Sequence, residues 1–484
     1  TGNVAGNLTG TVATATQNSI TTATGLTTVG ASAQATSIAN IPFYSDSSSI
    51  YTHDVSATDS TASYNTAYGL NALDAITTGD GNTVMGYQAA TALNTGQRNV
   101  IIGYQAGDEM TSGGDSVIVG YGAGHSQTTA LENTFVGYYA GSECIEGAYN
   151  TFVGSSSGQE VTTAADNTAV GSRSMSATTT GTDNTALGKS AMAANTTGSR
   201  NLAIGTEAYD ASDTENDNIA IGYRAMSADT AGGIRNIAIG NYAGDAITSG
   251  DDNTLLGHTA GGAINSGVAN TFIGQEAGLT TTTGSSNTAV GNLALRLNAT
   301  TDDNTAVGRS ALAANIADGN TAVGRSALTA NTTGAINVAV GKGALSQNTT
   351  GTKNVGVGYN ALESVTTGDF NTAIGQSSGS ETTTADSNTS VGRESLRTNI
   401  TGETNTAVGA EALYASTGNA NVGVGFQAGR ANTSGQIIAI GYQAMVANTT
   451  GTRNIAIGSN AYDSSDTEND NIAIGHNAMT ANSA

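Results

Sequence analysis

The sequence predicts an all-β protein, a parallel β-roll (β-solenoid) of about 25 coils with a 17-residue repeat. Three observations predict it. The first is a glycine column running from Gly69 through Gly171, Gly188, Gly205 and Gly222 to Gly475. It holds 25 glycines; of their 24 spacings, twenty are 17 residues, three are 16 and one is 18. Self-similarity at so steady a period marks a stack of short units, each resting only on its neighbours. The second is a short apolar triplet before each glycine, as in Thr168-Ala169-Val170 and Leu202-Ala203-Ile204. It is rich in β-branched residues and bounded by turn formers, so it reads as a strand. The third is the filling between triplets, such as Asn195-Thr196-Thr197-Gly198, which suits turns and leaves no room for a helix.

Taken in order, residues 1–45 form a separate N-terminal segment. Gly6-Asn7-Leu8-Thr9-Gly10-Thr11-Val12 has a short Gly-Asn/Thr period, followed by Gln17-Asn18-Ser19-Ile20 and Gly25-Leu26-Thr27-Thr28-Val29-Gly30. Short strands with little core of their own are expected there. Pro42-Phe43-Tyr44 marks a boundary, and the Ser/Asp/Thr-rich residues 46–64 read as a linker or an irregular first coil. Residues 65–484 are the repeat shaft.

Positions in each unit are counted from its glycine. Position −4 is Asn in 23 of 25 units, including Asn167, Asn184, Asn201 and Asn218; Ser116 and Ile437 are the exceptions. Position −3 is Thr, Val, Ile or Leu; −1 is Val, Ile or Leu apart from Tyr68 and Met85; −2 is mostly Ala, with Phe135, Phe152 and Phe272 among the larger exceptions. Position +3 is Ala in 21 units and Ser in four, and +4 varies among Leu, Met, Tyr, Gly and one Ala. Seventeen residues accommodate two short strands and two turns per coil. Side chains at −3 and −1 point to one face and −2 to the other. Both faces are apolar, so one fills the roll and the other needs a cover, which further copies of the chain would supply. Ala at −2 would let their backbones approach, and the small residues at +3 would give a line on which the copies close. Glycine at position 0 suits a bend with φ > 0. The Asn column tolerates turn geometry and, stacked one coil apart, would bond amide to amide as a ladder.

Composition excludes several classes. Fifteen Lys+Arg against 38 Asp+Glu give a net charge of −23, which argues against nucleic-acid binding and against anionic membranes. Charged residues are only 11% and there is one proline, unlike a disordered chain. No apolar stretch is long enough for membrane insertion. Cys144 is alone, so no intrachain disulfide forms. The start at Thr1 and the end at Ala484, inside a repeat, read as a processed or partial chain.

The Asn-(Ser/Thr)-x-(Val/Ile)-Gly-x-x-Ala units over residues 65–484 resemble the head repeats of YadA-like trimeric adhesins. That resemblance implies a left-handed parallel β-roll with three chains about one axis, as an intertwined or side-by-side trimer. The Gly-Asn/Thr run of residues 6–12, with Gln17-Asn18-Ser19-Ile20-Thr21 and Leu26-Thr27-Thr28-Val29-Gly30, is similar to segments of bacteriophage tail fibres. This resemblance implies a homotrimeric viral protein, a virion tail fibre that touches other virion proteins and a host cell-surface receptor or glycan. Neither family supplies a binding residue, because the matching columns are structural.

No catalytic constellation is legible, so no enzymatic activity is expected. His53, His125, His258 and His476 have no metal-ligand spacing. Gly120-Tyr121-Gly122-Ala123-Gly124 only superficially resembles a phosphate loop, since no Lys and no helix follow. The acidic turns Gly250-Asp251-Asp252-Asn253, Asp213-Thr214-Glu215-Asn216-Asp217-Asn218 and Asp466-Thr467-Glu468-Asn469-Asp470-Asn471 carry oxygens that suit Ca²⁺, with solvated turns as the plainer reading. No other cofactor is indicated. Tyr87, Tyr104, Tyr121, Tyr138, Tyr223, Tyr359 and Tyr442 share position +1, to stack on sugars or to cover the bend. The structural columns singled out are Asn167, Gly171, Asn184, Gly188, Asn201, Gly205, Asn218 and Gly222. The expected function is a structural and adhesive fibre, a phage tail-fibre shaft mediating host attachment. The alternatives are a bacterial cell-surface adhesin head and a polysaccharide-degrading β-helix enzyme. The enzyme ranks last, because the spacing leaves no room for the long loops that build a cleft. Ice binding would want a regular Thr array, and Thr fills −3 in only 14 of 25 units.

Overall fold

The computed structural model describes residues 44–45, 49–52, 61–211, 213–228, 232–464 and 467–480. The expected strands of the N-terminal segment, the Pro42-Phe43 boundary, His53 and Asp466 lie outside the described residues.

Every apolar triplet forms a three-residue strand. The 25 strands from β3 (Thr66–Tyr68) to β27 (Ile472–Ile474) make one continuous parallel sheet. Each pairs in register with the next, as Thr185, Ala186 and Leu187 do with Leu202, Ala203 and Ile204. Ahead of them, β1 (Tyr44–Ser45) pairs antiparallel with β2 (Ile50–Tyr51), and β2 joins β3 in parallel, setting the buried Tyr51 opposite Ala67. No helix among the described residues is long and apolar enough to cross a membrane.

Two expectations need correction. The first is the number of strands per coil, which is one among the described residues and not two. The physical reason is the rest of the coil, where non-glycine residues at −5, +2 and +4 take left-handed backbone, as at Asp183 (φ 60°), Ser190 (φ 54°) and Met192 (φ 57°). Three such bends per coil rule out a second regular strand. Coil-to-coil backbone bonds persist there all the same, for instance Met192 N–H to Ala208 C=O at 3.0 Å and Thr196 N–H to Asp213 C=O at 2.7 Å.

The second correction concerns which side is inside. The −2 column lies in the roll interior: Ala169, Ala186, Ala203 and Ala220 are all fully buried. So does the +3 column, represented by Ala191, Ala208 and Ser174. Neither column is available to another chain. The interior is thin, and its volume is balanced across the coil. Where −2 is large, +4 is glycine: a Cβ on Gly141 would lie 2.8 Å from Phe135, one on Gly158 2.4 Å from Phe152, and one on Gly278 2.3 Å from Phe272. Where −2 is Ala, as at Ala186, Ala289 and Ala306, +4 is the buried Met192, Leu295 and Leu312. Close packing disfavours two large partners; two small ones do occur, at Ala238 with Gly244, Ala373 with Gly379 and Gly423 with Gly429, and beside Gly244 the buried Ile247 takes up the space. Phe135 and Phe152 stack inside with ring centroids 5.2 Å apart.

The glycine column closes the bend. Gly171 has φ 138°, and a Cβ there would sit 2.3 Å from the carbonyl oxygen of Gly188 in the next coil. Both the conformation and the close approach require glycine.

Candidate functional site

The predicted Asn column lies inside the roll and is fully used there. Asn184 Nδ2–H donates to Gly198 C=O at 2.8 Å, while its Oδ1 accepts from the Asn201 N–H at 2.9 Å. Asn201 repeats this, with Glu215 C=O at 2.7 Å and the Asn218 N–H at 2.9 Å. Asn167 passes the same bond to the Asn184 N–H at 3.0 Å. Each Asn therefore satisfies a buried carbonyl in its own coil and a buried N–H in the next. Ser116 substitutes with its hydroxyl, accepting from the Asn133 N–H at 3.2 Å. Ile437 donates its N–H to Asn421 Oδ1 at 3.0 Å but has no side-chain oxygen to accept from the next coil. Asn167, Asn184, Asn201 and Asn218, with Gly171, Gly188, Gly205 and Gly222, are thus architecture and not a ligand site.

A second buried column escaped the sequence reading. Position +7 holds apolar residues in some coils, such as Ile76, Leu93 and Ile247, and Asn in others. Asn348 Nδ2 donates to Asn331 Oδ1 at 2.7 Å, and Asn331 Nδ2 to Asn315 Oδ1 at 2.7 Å. This ladder stops where Val365 follows, leaving Asn348 Oδ1 buried without a partner.

The acidic turns are occupied by protein contacts. Asp251 accepts the Ile234 N–H at 2.9 Å, Asp252 pairs with Arg235 at 2.6 Å, and Asp217 pairs with Arg200 at 2.7 Å. Asn216 Oδ1 accepts the Ser199 N–H, and Glu215 the Gly232 N–H. Asp470 pairs with Arg453 in the same way. These Arg–Asp pairs, with Arg98–Asp115, follow one rule: an Arg at −5 meets an Asp at −5 one coil later. Each guanidinium holds its aspartate below the usual carboxylate range. Among the described residues no three His, Cys, Asp or Glu side chains converge to hold a metal ion. His125 hydrogen-bonds to Asp108, His258 lies edge-on to Tyr242, and His476 is exposed. They are far apart along the stack. A shallow depression beside His125 is lined by Tyr139, Glu143 and Gln159, without a nucleophile and base in contact. Cys144 is buried, and burial pushes its thiol up to about 12. The Gly120–Gly124 run belongs to the repeat: Tyr121 is exposed, Ala123 is buried, and no helix follows.

The chemistry-bearing surface is outside, along the strands. Tyr87, Tyr104, Tyr121 and Tyr138 form an exposed ladder, with successive ring centroids 5.2, 4.9 and 5.4 Å apart. Their faces are turned on one another, so the inner rings offer edges and hydroxyls, not the open faces that stack on sugars. Beside the glycines runs the outward −3/−1 stripe. It includes Met85, Leu187, Leu256, Ile374, Ile440 and Ile457, each more than a third exposed.

No protein-family model matches this chain, and no curated protein matches it.

Proposed function

We propose that this chain is the shaft of an elongated structural and adhesive fibre, working as a homotrimer and serving host attachment in the manner of a phage tail fibre. The observation that carries the proposal is the continuous outward stripe of Val, Ile and Leu at −1 with Thr, Val and Ile at −3. A lone soluble chain rarely exposes contiguous apolar area beyond a few hundred Å². Copies closing about one axis would bury the stripe along its whole length by a contact that ends on itself. The number three comes from the likeness to YadA-type heads and tail fibres. The supporting role rests on the interior: Asn ladders, glycine bends and size-matched side chains build a stiff repeat.

Native mass measurement tests it. A particle of three 47.8 kDa chains is expected, and a stable monomer would overturn it. Val290→Lys supplies an independent reading. In a trimer it puts a charge in the chain-to-chain contact and dissociates it at a cost of about 3 kcal/mol or more. In a monomer it would be a tolerated surface change, within about 0.5 kcal/mol. Immunogold labelling of intact particles separates the virion from a bacterial cell surface.

A further inference from the structure

The chain carries −23 overall, yet residues 304–362 hold four cations, Arg309, Arg325, Lys342 and Lys353, against the single acid Asp318. The first three share position +1 on consecutive coils. Their strands are in register, Val307 with Val323 and Val323 with Val340. Their backbones are locked in step as well: Ser326 N–H donates to Arg309 C=O, Gly343 N–H to Arg325 C=O and Asn360 N–H to Lys342 C=O, each at 3.0 Å. Side chains at +1 stand one above another, as the tyrosine ladder shows, and Lys342 Nζ lies 5.4 Å from the ring centre of Tyr359, next in the row. All three cations are exposed.

None of the three makes an ion pair, whereas nine other arginines do. The fold has a ready device for neutralising an arginine, an aspartate in the same column one coil on, and it uses that device at Arg98, Arg200, Arg235 and Arg453. In this row the neighbour in the column is another cation. Like charges one coil apart repel, and that repulsion is relieved by a polyanion laid along the axis.

We infer that Arg309, Arg325 and Lys342 form a binding strip for a linear anionic polysaccharide. Ser310 and Ser326 follow Arg309 and Arg325 in the chain, and Asn360 takes the same position one coil beyond Lys342; their hydroxyls and amide suit sugar hydroxyls. A nucleic acid fits less well. The +1 column offers only three cations, flanked by Asn292 and Tyr359 on a chain of net charge −23, so the dense phosphates of a nucleic acid would run on without countercharge, where a sparsely charged polysaccharide need not. The inference deepens the attachment reading and rests on it for the polymer's place on a host surface; binding of the soluble polymer does not depend on it.

The test is retention of the whole protein on immobilised dextran sulfate, with neutral dextran and single-stranded DNA as parallel surfaces. Retention on dextran sulfate alone is expected, weakening with salt at a log–log slope of about −2 to −3. The triple variant Arg309→Gln/Arg325→Gln/Lys342→Gln should lose about tenfold or more of that affinity, with an unchanged or higher melting temperature because repulsion is removed. The variant Arg200→Gln/Arg235→Gln/Arg453→Gln alters net charge equally and should bind as the parent does. Equal loss in both variants, equal retention on neutral dextran, or tighter binding to DNA would each overturn the strip. Adhesion of the parent to host cells is scored separately: its absence would count against attachment while leaving the dextran sulfate result standing.

Discussion

At the scale of single residues, the glycine column has no substitutes and the asparagine column has two, Ser116 and Ile437. Gly171→Ala places a methyl 2.3 Å from a backbone oxygen that has no flexible side chain to move aside. A loss of about 2 kcal/mol or more is expected, from backbone strain and the clash together. Asn184→Ala strands the buried Asn201 N–H, at about 1–3 kcal/mol, while the Gly198 carbonyl keeps the Asn195 Nδ2–H at 3.0 Å. Urea denaturation of both variants checks these values, and near-parental midpoints would refute them. Titration gives a third residue-level expectation with opposite signs at two places. Asp115, Asp217, Asp252 and Asp470 have lowered folded pKa values, so their contribution is present above the unfolded value of about 3.9 and is lost as pH falls through the folded one. Asp245 is raised, chiefly by burial. Its fold is favoured while it is protonated, and that advantage is lost as pH rises from the unfolded value through the raised folded one. Asp245→Asn should therefore raise the melting temperature at pH 7 and leave it unchanged at pH 3. A drop at pH 7 would show that the carboxylate is held by a favourable partner.

At the scale of the coil, the pairing of −2 with +4 is a rule that can be transplanted. Phe152→Ala opens a cavity, and Gly158→Leu alone collides with Phe152. Together they recreate the Ala289 and Leu295 arrangement, whose leucine already sits at φ 51°. The double variant should recover at least about half of the summed single losses, a coupling readable in a double-mutant cycle. Strict additivity would mean that the two positions do not share one space. This rule was in the sequence, since Phe135, Phe152 and Phe272 are each followed by glycine six residues on. Reading it would have placed −2 inside. Alternation by itself separates −2 from −3 and −1 but does not say which faces inward when all three are apolar. Period, strand position, glycine bend and Asn ladder were legible because each depends on local chemistry repeated in register. The second strand was not, because left-handed backbone at residues such as Ser190 and Asp183 leaves little mark on residue type. The +7 asparagines were read as turn residues, since polar side chains are usually exposed. Only the stack reveals that Asn315, Asn331 and Asn348 bond to one another in the interior. The cation strip was equally invisible until position +1 was known to be a column of exposed neighbours.

At the scale of the whole molecule, 24 steps of about 4.8 Å make the 25-strand stack roughly 115 Å long. The links between coils are hydrogen bonds that run along the axis, so a pull on the two ends loads the coils in series, like links of a chain under tension. Each coil that lets go would release 17 residues, up to about 58 Å of extended chain less the height of one coil. A single tethered roll should thus lengthen in a sawtooth of nearly equal teeth of about 50 Å. The links are not all equal. At Ile437 the asparagine ladder has no oxygen to hand on, so the seam between that coil and the next lacks the side-chain bond that Asn421 and Asn454 supply to theirs. Under load that seam yields first, and Ile437→Asn should move the first tooth to higher force.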